Sequence, residues 1–384
     1  MTEMRDVLEP YVRDGTLPGA VALVAHLDSV TVEAVGCVDA EGSAPMGRES
    51  IFRLASITKP ITAAAVMMLI QDGKLGFEDP IAQWLPELDS PMVVRTPASP
   101  VDDTTPVSRP ITVLDLLTSR AGWGFPSDFS LPAVHLLFTV QTDGREVQLR
   151  PDPDEWLARL SRIPLLYQPG QAWLYDTCSD LQGILIARVT NQSLPDFLAE
   201  RLFEPLGMTD TSFVVPAAKR NRFTSYYRPT TNGGIELADA TDGQWASPPA
   251  FPAGSGGLVG TVEDWYRFGR MILNRGSVND RQLLSPQSVQ QMTTNHLTQS
   301  QREIGRLFLE GQGWGFGGCV DIEAREPWNV PGRYGWVGGT GTTAHIIPST
   351  GSVAILLTQV AATGPIPPAL MRDFWRYAAV PRDQ

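Results

Sequence analysis

Residues 56–71 read SITKPITAAAVMMLIQ, and this stretch decides the fold because it describes a helix without a polar face. Apolar residues fill positions 63–70, and Gly73 follows the segment as a stop signal. Pro60 is compatible with a helix because it falls within the first turn or so. A helix that is apolar on nearly every side is buried, so we predict that other elements pack all round it.

Ser56 and Lys59 stand three residues apart at the start of this helix, which places both side chains on one face, with Cβ atoms roughly 5–6 Å apart. Backbone N–H groups at a helix N-terminus favour negative charge, which suits a serine alkoxide. Only three of the 30 basic residues are lysines, and we expect desolvation to lower the pKa of Lys59 so that it can accept the serine proton. A Ser-x-x-Lys tetrapeptide also arises by chance, and the pair alone leaves that alternative open.

Strand signals lie at both ends of the chain, with helix signals between them. Two β-branched runs, residues 21–25 and 30–35, predict a hairpin, and residues 343–347 and 352–359 predict a second one around the turn Pro-Ser-Thr-Gly. Strand–helix alternation throughout the chain, which a doubly wound parallel sheet requires, is absent. Helices are predicted for residues 3–14, 56–71, 111–119, 154–162, 177–190, 194–203, 264–274, 286–292 and 369–379.

These patterns predict an α/β (α+β) fold with a central antiparallel sheet built from N- and C-terminal segments and flanked by helices. Residues 1–75 and 250–384 form this α/β domain, and residues 76–249 form an inserted, mainly helical domain. Domain junctions are common places for pockets, so we expect the active site there. The segments 89–110 and 125–152 are expected to border it.

A tyrosine and a glycine-rich run are the other candidates for chemistry. Tyr175 precedes the helix predicted for residues 177–190, and a phenol held beside a lysine can act as general base, although a packing role is the alternative. Residues 336–342, WVGGTGT, lead into the C-terminal hairpin. Glycines there let a backbone N–H approach a ligand and form an oxyanion hole with the N–H of Ser56. A glycine-rich bulge is the alternative interpretation.

These three elements, in this order, resemble the serine β-lactamase and penicillin-binding-protein superfamily, and within it the class C β-lactamase-like branch that includes the family VIII carboxylesterases. The resemblance implies that Ser56 is the acylated nucleophile, that Lys59 is its proton partner and that Tyr175 is the second base. It also implies that the N–H groups of Ser56 and Gly339 form the oxyanion hole. The resemblance covers most of the chain and extends to residues 17–20, 51–60, 111–122, 205–208 and 253–260.

Departures from the family pattern narrow the expected substrate. Thr177 stands where β-lactamases and D,D-peptidases of this type have the Asn of Tyr-x-Asn, so a side-chain amide is lost. Trp336 and Val337 replace the cationic or imidazole residue and the hydroxyl residue of the last motif, and an indole cannot pair with a carboxylate. We therefore expect a carboxylesterase that acts on neutral, partly apolar esters with short acyl chains. The candidates for substrate binding are Trp336, Gly338, Thr177 and Trp123.

Three other functions stay open: an acyltransferase using the same acyl-enzyme, a β-lactamase or D-amino-acid peptidase, and an inactive penicillin-binding-like scaffold. A Ser-His-Asp hydrolase is disfavoured because residues 253–257, AGSGG, lack the first glycine of Gly-x-Ser-x-Gly. Metal-ligand clusters and nucleotide-binding loops are not evident, so we expect no metal or other cofactor. A convincing catalytic setting is lacking for His26, His135, His296 and His345.

The chain has 384 residues and a formal net charge of −12. Nucleic acid and anionic membranes repel so acidic a chain, so the expected partner is a small-molecule ester. The longest apolar run, residues 63–70, is far shorter than the roughly 20 residues of a membrane span. The N-terminal segment lacks signal-peptide features, and three separated cysteines fit a reducing compartment, so we expect a cytoplasmic protein. The oligomeric state is not predicted. The cysteines are Cys37, Cys178 and Cys319.

Overall fold

The computed structural model describes residues 3–142 and 145–380. Each helix and each hairpin predicted from the sequence has a counterpart in it. The strands are β1 (Gly19–His26), β2 (Ser29–Gly36), β3 (Phe52–Arg53), β4 (Met92–Val94), β5 (Thr104–Pro106), β6 (Tyr226–Pro229), β7 (Ile235–Asp239), β8 (Val259–Gly260), β9 (Ser277–Val278), β10 (Arg281–Gln282), β11 (Gly313–Trp314), β12 (Cys319–Val320), β13 (Tyr334–Gly338), β14 (Thr342–Ile347) and β15 (Ser352–Thr358). The α-helices are α1 (Met4–Arg13), α2 (Lys59–Gln71), α3 (Val113–Leu117), α4 (Pro132–Leu137), α5 (Pro153–Leu160), α6 (Thr177–Thr190), α7 (Leu194–Leu198), α8 (Glu204–Leu206), α9 (Val262–Leu273), α10 (Pro286–Met292), α11 (Gln299–Ile304), α12 (Arg306–Leu309) and α13 (Ala369–Ala379).

A seven-stranded sheet in the order β11-β12-β13-β14-β15-β1-β2 forms the centre of the fold. Its neighbouring strands are all antiparallel. The two ends of the chain meet where β1 pairs with β15, with Leu23 opposite Ile355. The predicted antiparallel sheet is therefore confirmed. The sequence pattern does not predict β11, β12 and β13, because two of them are only two residues long and glycines interrupt the β-branched pattern that marks a strand.

Side chains of β1 alternate between two cores, as the period of a strand requires. Val21 and Leu23 face the larger core, which contains α2 and α9. Ala20 and Ala22 face a smaller core that α1 and α13 close. The sheet is thus covered by helices on both faces, as the sequence predicts.

Helix α2 is buried from Lys59 to Leu69, in agreement with its apolar sequence. It packs against α6, which is buried from Thr177 to Ile186. The α-helix begins three residues later than predicted, because Ser56 lies in the preceding 3₁₀ turn, Ala55–Thr58.

The region 76–249 contains α3 to α8 and two small sheets, β4–β5 and β6–β7. Its buried side chains, Trp156 and Leu185 among them, belong to the same core as α2. The division of the chain into two domains stays a prediction. Among the described residues, no helix combines the length and the hydropathy that crossing a membrane requires.

Candidate active site

Ser56 lies in the turn that connects β3 to α2. The preceding residue, Ala55, has a φ of 47°, in the left-handed region that side chains with a Cβ rarely occupy. Thr342, at the start of β14, donates a 2.8 Å hydrogen bond to the carbonyl oxygen of Leu54. This bond holds the end of the main sheet against the segment that presents Ser56 to a cavity.

The side-chain nitrogen of Lys59 has three hydrogen-bond acceptors around it. Nζ lies 3.0 Å from Ser56 Oγ, 2.6 Å from Asp176 Oδ1 and 2.8 Å from the carbonyl oxygen of Ser255. An ammonium group has three N–H donors and no acceptor. The surroundings of Lys59 therefore match its protonated form.

Opposing effects set the charge of Lys59. Burial favours the neutral amine, but the carboxylate of Asp176 and the neighbouring Tyr175 outweigh burial and raise the pKa of Lys59 above its ordinary value. Burial also disfavours the charged form of Asp176. The positive charges of Lys59 and Arg150 outweigh the effect of burial and lower the pKa of this carboxyl group. The expectation that desolvation lowers the pKa of Lys59 is therefore wrong, because the sequence pattern does not reveal this carboxylate.

Tyr175 approaches Ser56 from another side. Its phenol oxygen lies 2.8 Å from Ser56 Oγ and accepts a 2.9 Å hydrogen bond from the indole N–H of Trp336. Paired backbone hydrogen bonds of 3.0 and 2.9 Å with Phe125 fix the position of Tyr175. Lys59 Nζ is 4.6 Å from the centre of the phenol ring. The fold thus brings together the three residues that the sequence singles out for acyl transfer.

Asp176, the residue after Tyr175, is not singled out by the sequence analysis. Its second carboxylate oxygen accepts a 2.9 Å hydrogen bond from the amide of Gln141. The same amide donates over 2.7 Å to Asp180, which pairs with Arg150. An acidic residue beside the candidate tyrosine is visible in the sequence, but only the fold shows that it reaches a lysine 117 positions away.

Gly338 and Gly339 line the cavity together with Ser56. A Cβ at Gly338 would lie 2.6 Å from the carbonyl oxygen of Leu54, so the close approach of these two segments requires glycine. At Gly339 a Cβ would meet only the Arg145 side chain, at 3.2 Å. The arrangement is compatible with an oxyanion hole from Ser56 and Gly339, which stays a prediction.

A cavity of about 460 Å³ opens beside Ser56. Its walls are mainly apolar, and walls of this kind bind apolar parts of a ligand. They come from residues 125–142 and Arg145, from the turn at Tyr175, from α12, from β13 and from the chain that follows β15. The apolar side chains that line it are Ala55, Phe125, Phe129, Phe138, Tyr175, Phe308, Trp336, Val337, Ala362, Pro365, Ile366, Pro367, Pro368 and Met371.

Of the two segments expected to border the site, only one contributes residues to the cavity wall. Within segment 125–152, Phe125, Phe129, Phe138, Gln141, Thr142 and Arg145 line the cavity as expected. Arg145 donates a 2.7 Å hydrogen bond to the carbonyl oxygen of Ala362, which also lines it. Residues 89–110 do not line the cavity, so that expectation is wrong. They form the pair β4–β5, and Val94 donates a backbone hydrogen bond to Leu165 elsewhere in the core.

The other candidates for substrate binding also differ. Trp336 lines the cavity, but its N–H is engaged by Tyr175. Thr177 is fully buried at the start of α6, and Trp123 is buried with its N–H on the carbonyl oxygen of Ile163 at 2.9 Å. Neither Thr177 nor Trp123 lines the cavity beside Ser56. Their role in substrate binding stays a prediction.

The histidines do not line this cavity. His345 is buried, its Nδ1 lies 3.1 Å from the hydroxyl of Thr343, and burial lowers its pKa well below the ordinary value. His26 is exposed beside the hydroxyl of Ser352. Both sit in the main sheet.

The chain is similar to known proteins in sequence and in fold. Protein Rv1367c of Mycobacterium tuberculosis is 35% identical over 354 residues, which are 90% of this chain and 86% of that protein. Esterase EstB of Burkholderia gladioli is 29% identical over 380 residues, covering 93% of this chain and 90% of that protein. Among solved structures, "EstCE1, a hydrolase with promiscuous acyltransferase activity" has a TM-score of 0.80 at 24% identity, covering 98% of this chain and 97% of that chain.

The match to a family model covers nearly the whole chain. The model described as Beta-lactamase matches residues 4–371. That range includes the main sheet, helix α2 and the Ser56 cluster. The chain therefore belongs to the beta-lactamase family, within the β-lactamase/transpeptidase-like superfamily that its sequence motifs resemble.

Proposed function

We propose that this protein is a carboxylesterase that forms an acyl-enzyme on Ser56. The observation that carries the proposal is the position of Ser56 Oγ, 3.0 Å from Lys59 Nζ and 2.8 Å from Tyr175 Oη, at the wall of an apolar cavity. A serine hydroxyl is a weak nucleophile until a neighbouring group takes its proton. The similarity to Esterase EstB supports an ester as the substrate.

In this mechanism Ser56 Oγ attacks the carbonyl carbon of the ester, and its proton passes to the pair Lys59 and Tyr175. The N–H groups of Ser56 and Gly339 stabilise the negative oxygen of the tetrahedral intermediate. Tyr175 then gives the proton to the leaving alcohol, and the acyl-enzyme remains. Water attacks the acyl group with help from the same pair, which releases the carboxylic acid and restores Ser56.

Neutral esters fit the site better than penicillins or peptides do. Trp336 stands where related enzymes have a cationic or imidazole residue, and an indole offers one N–H and no charge to a carboxylate. That N–H is already bound to Tyr175. Thr177, at the position of the usual asparagine, is fully buried. We therefore rank β-lactamase and peptidase activity below the hydrolysis of short-chain esters.

An acyltransferase is the second candidate. It uses the same acyl-enzyme and replaces water by an alcohol or an amine. The apolar wall favours this candidate, because an apolar alcohol or amine is stabilised when it buries its surface there, whereas water is not. Hydrolysis of an ester in the presence of added alcohol, followed by quantification of the new ester, separates the two activities.

Turnover of p-nitrophenyl acetate, butyrate and octanoate tests the proposal, with nitrocefin, a β-lactam, in parallel. The wild type is compared with Ser56→Ala and with Ser349→Ala, a control in the exposed turn between β14 and β15. We expect ester hydrolysis by the wild type and the control, a loss of at least about 10³-fold in Ser56→Ala, and little cleavage of nitrocefin.

Other outcomes would contradict this function. Unchanged ester turnover in Ser56→Ala removes Ser56 from the mechanism. Nitrocefin turnover near the ester rate reverses the ranking of esters over β-lactams. No turnover of any of these substrates favours the inactive scaffold.

A further inference from the structure

Beneath Ser56 the structure buries two cations and two carboxylates. The side chains of Lys59 and Asp176 are 1% and 9% exposed, and those of Arg150 and Asp180 are 0% exposed. Lys59 pairs with Asp176, Arg150 pairs with Asp180, and the amide of Gln141 donates to both carboxylates at 2.9 and 2.7 Å. We call these five side chains the buried charge network.

The network is neutral only when Lys59 carries a proton. A neutral Lys59 would leave two carboxylates opposite a single cation, Arg150, and an uncompensated charge in a buried site is strongly unfavourable. The titratable groups that face Lys59 are Asp176, Tyr175 and Asp180, and the cations that face Asp176 are Lys59 and Arg150. The two carboxylates therefore hold the proton on Lys59.

The backbone at Asp176 is strained in a way that aims its carboxylate. Its φ of 83° and ψ of −65° describe the rare γ-turn with positive φ. The matching hydrogen bond runs from the N–H of Thr177 to the carbonyl oxygen of Tyr175, at 3.3 Å. Because of this turn, two consecutive side chains reach the two sides of one site, Tyr175 at Ser56 Oγ and Asp176 at Lys59 Nζ. Such strain persists where the surrounding structure imposes it, often at functional sites.

We propose that Asp176 is a positioning residue: its carboxylate keeps Lys59 protonated and directed at Ser56, so that Tyr175, as the phenolate, alone takes the serine proton and Lys59 only donates. The inference rests on the proposed function, because it assumes that Ser56 is the nucleophile. It refines the shared role of Lys59 and Tyr175 into two separate roles. Asp176 acts through Lys59.

The variant Asp176→Asn removes the charge and keeps the size of the side chain and an oxygen for Lys59. Asparagine tolerates positive φ, and the Gln141 oxygen, which has no partner among the described residues, can accept from the new amide after rotation. Asp176→Gly removes the whole carboxylate and relieves the backbone strain. Both variants lack the negative charge that offsets the effect of burial on Lys59. The pKa of Lys59 therefore falls, and Lys59 loses its proton at a lower pH than in the wild type.

The test follows phosphonylation of Ser56 by a fluorophosphonate, from pH 6 to pH 10, in the full-length protein. In this reaction Ser56 Oγ attacks phosphorus, the P–O bond forms, fluoride leaves with the electrons of the P–F bond, and the phenolate oxygen of Tyr175 takes the serine proton and becomes a phenol. The readout is the ratio of wild-type to variant rate constants at each pH, because the pH dependence of the probe cancels in that ratio. Asp264→Asn is the matched control, since Asp264 is a buried acid that accepts from Thr211 and from the backbone of Asp210, outside the network.

The proposal expects the ratio for Asp176→Asn and Asp176→Gly to lie near one at pH 6 and to reach at least about ten at pH 10, and the ratio for Asp264→Asn to stay flat. A ratio well below one at pH 6 that only returns to one at pH 10 would mean that neutral Lys59 is the base, and it would overturn the proposal. A ratio that differs from one by the same factor at every pH would mean that Asp176 only supports the fold, and the proposal would be overturned. Fluorophosphonate that does not label Ser56 in the wild type would overturn the proposed function itself, and this inference with it.

Discussion

Trp336 donates its indole N–H to the phenol oxygen of Tyr175 over 2.9 Å, and that oxygen stands 2.8 Å from Ser56 Oγ. The indole is 3% exposed and packs perpendicular to Trp314, with ring centres 4.8 Å apart. It is therefore a fixed donor. An N–H donated to the phenol oxygen holds the ring of Tyr175 in one orientation.

Trp336→Phe tests this relationship, because phenylalanine keeps the apolar wall and deletes the donor. We expect kcat for p-nitrophenyl butyrate to fall roughly 10- to 100-fold, since a hydrogen bond to a charged group contributes about 1.5–3 kcal/mol. KM should change only a few-fold. The control is Trp328→Phe, a buried tryptophan that packs on Trp375 in the smaller core. A rise in KM at constant kcat would mean that Trp336 serves binding alone.

Gly338→Ala should disturb the site through the backbone. The new Cβ would lie 2.6 Å from the carbonyl oxygen of Leu54 and 2.1 Å from the hydroxyl of Thr342, so strand and nucleophile turn must separate. We expect kcat/KM to fall at least about 100-fold, because a misplacement of 1 Å has effects of that size, and Tm to fall as well. Gly364→Ala is the control in the cavity wall, since no atom lies within 4 Å of its Cβ. Equal activity of the two variants would contradict the close approach.

Phe138→Ala should change the preference for acyl chain length. Phe138 lines the cavity and is 48% exposed, and we expect a long acyl chain to lie against it. Loss of this contact, at about 25 cal/mol per Å² of apolar surface, corresponds to about 1 kcal/mol and roughly a fivefold drop in the octanoate-to-acetate ratio of kcat/KM. Leu237→Ala removes an exposed apolar side chain away from the cavity and should leave the ratio unchanged. A constant ratio in Phe138→Ala would place the acyl chain elsewhere.

Asp210 makes the stability of the fold depend on pH at acidic values. Its hydrogen bonds to Arg222 are the main cause that holds its pKa down to about 2, and Lys219 adds to the effect. A pKa lower in the folded than in the unfolded chain stabilises the fold above about pH 4, and this contribution is lost as the pH falls through about 2. Asp210→Asn should therefore lower the free energy of unfolding by about 1–2 kcal/mol at pH 7, and the deficit should shrink between pH 4 and pH 2.

Urea unfolding of the wild type and Asp210→Asn at pH 7, 4 and 2.5 measures this difference. Asp103→Asn is the control, because the pair that Asp103 forms with Arg95 is exposed and contributes little. A deficit of Asp210→Asn that persists unchanged at pH 2.5 would rule out the charge of Asp210 as its cause.

Much of the fold could be predicted from the sequence because its signals are local. The apolar run 63–70 predicts a buried helix, and the β-branched hairpins at the two ends predict the antiparallel sheet. Strands β11 and β12 are not predicted, because a strand of two residues is too short to show an alternating hydrophobic pattern. Only their pairing with neighbouring strands identifies them. The π-helical turn Ala199–Phe203 likewise interrupts a stretch that has the pattern of one continuous helix.

At the site, the sequence identifies Ser56, Lys59 and Tyr175, because their residue types and spacing indicate acyl-transfer chemistry. It does not identify the charge of Lys59, because that charge depends on Asp176, brought beside it by the packing of α6 on α2. Thr177, one position beyond Asp176, is fully buried and does not line the cavity. The positive φ at Asp176 turns this carboxylate toward Lys59 and leaves the threonine buried.

The most direct test of the account is the identity of the residue that becomes acylated. The wild type is mixed with p-nitrophenyl butyrate, quenched in acid within the first turnovers, and examined by intact mass and peptide mapping, with Ser56→Ala treated in the same way. The account predicts one butyryl group on the peptide that carries Ser56, and none in the variant. A butyryl group on another residue, or equal acylation of Ser56→Ala, would contradict it.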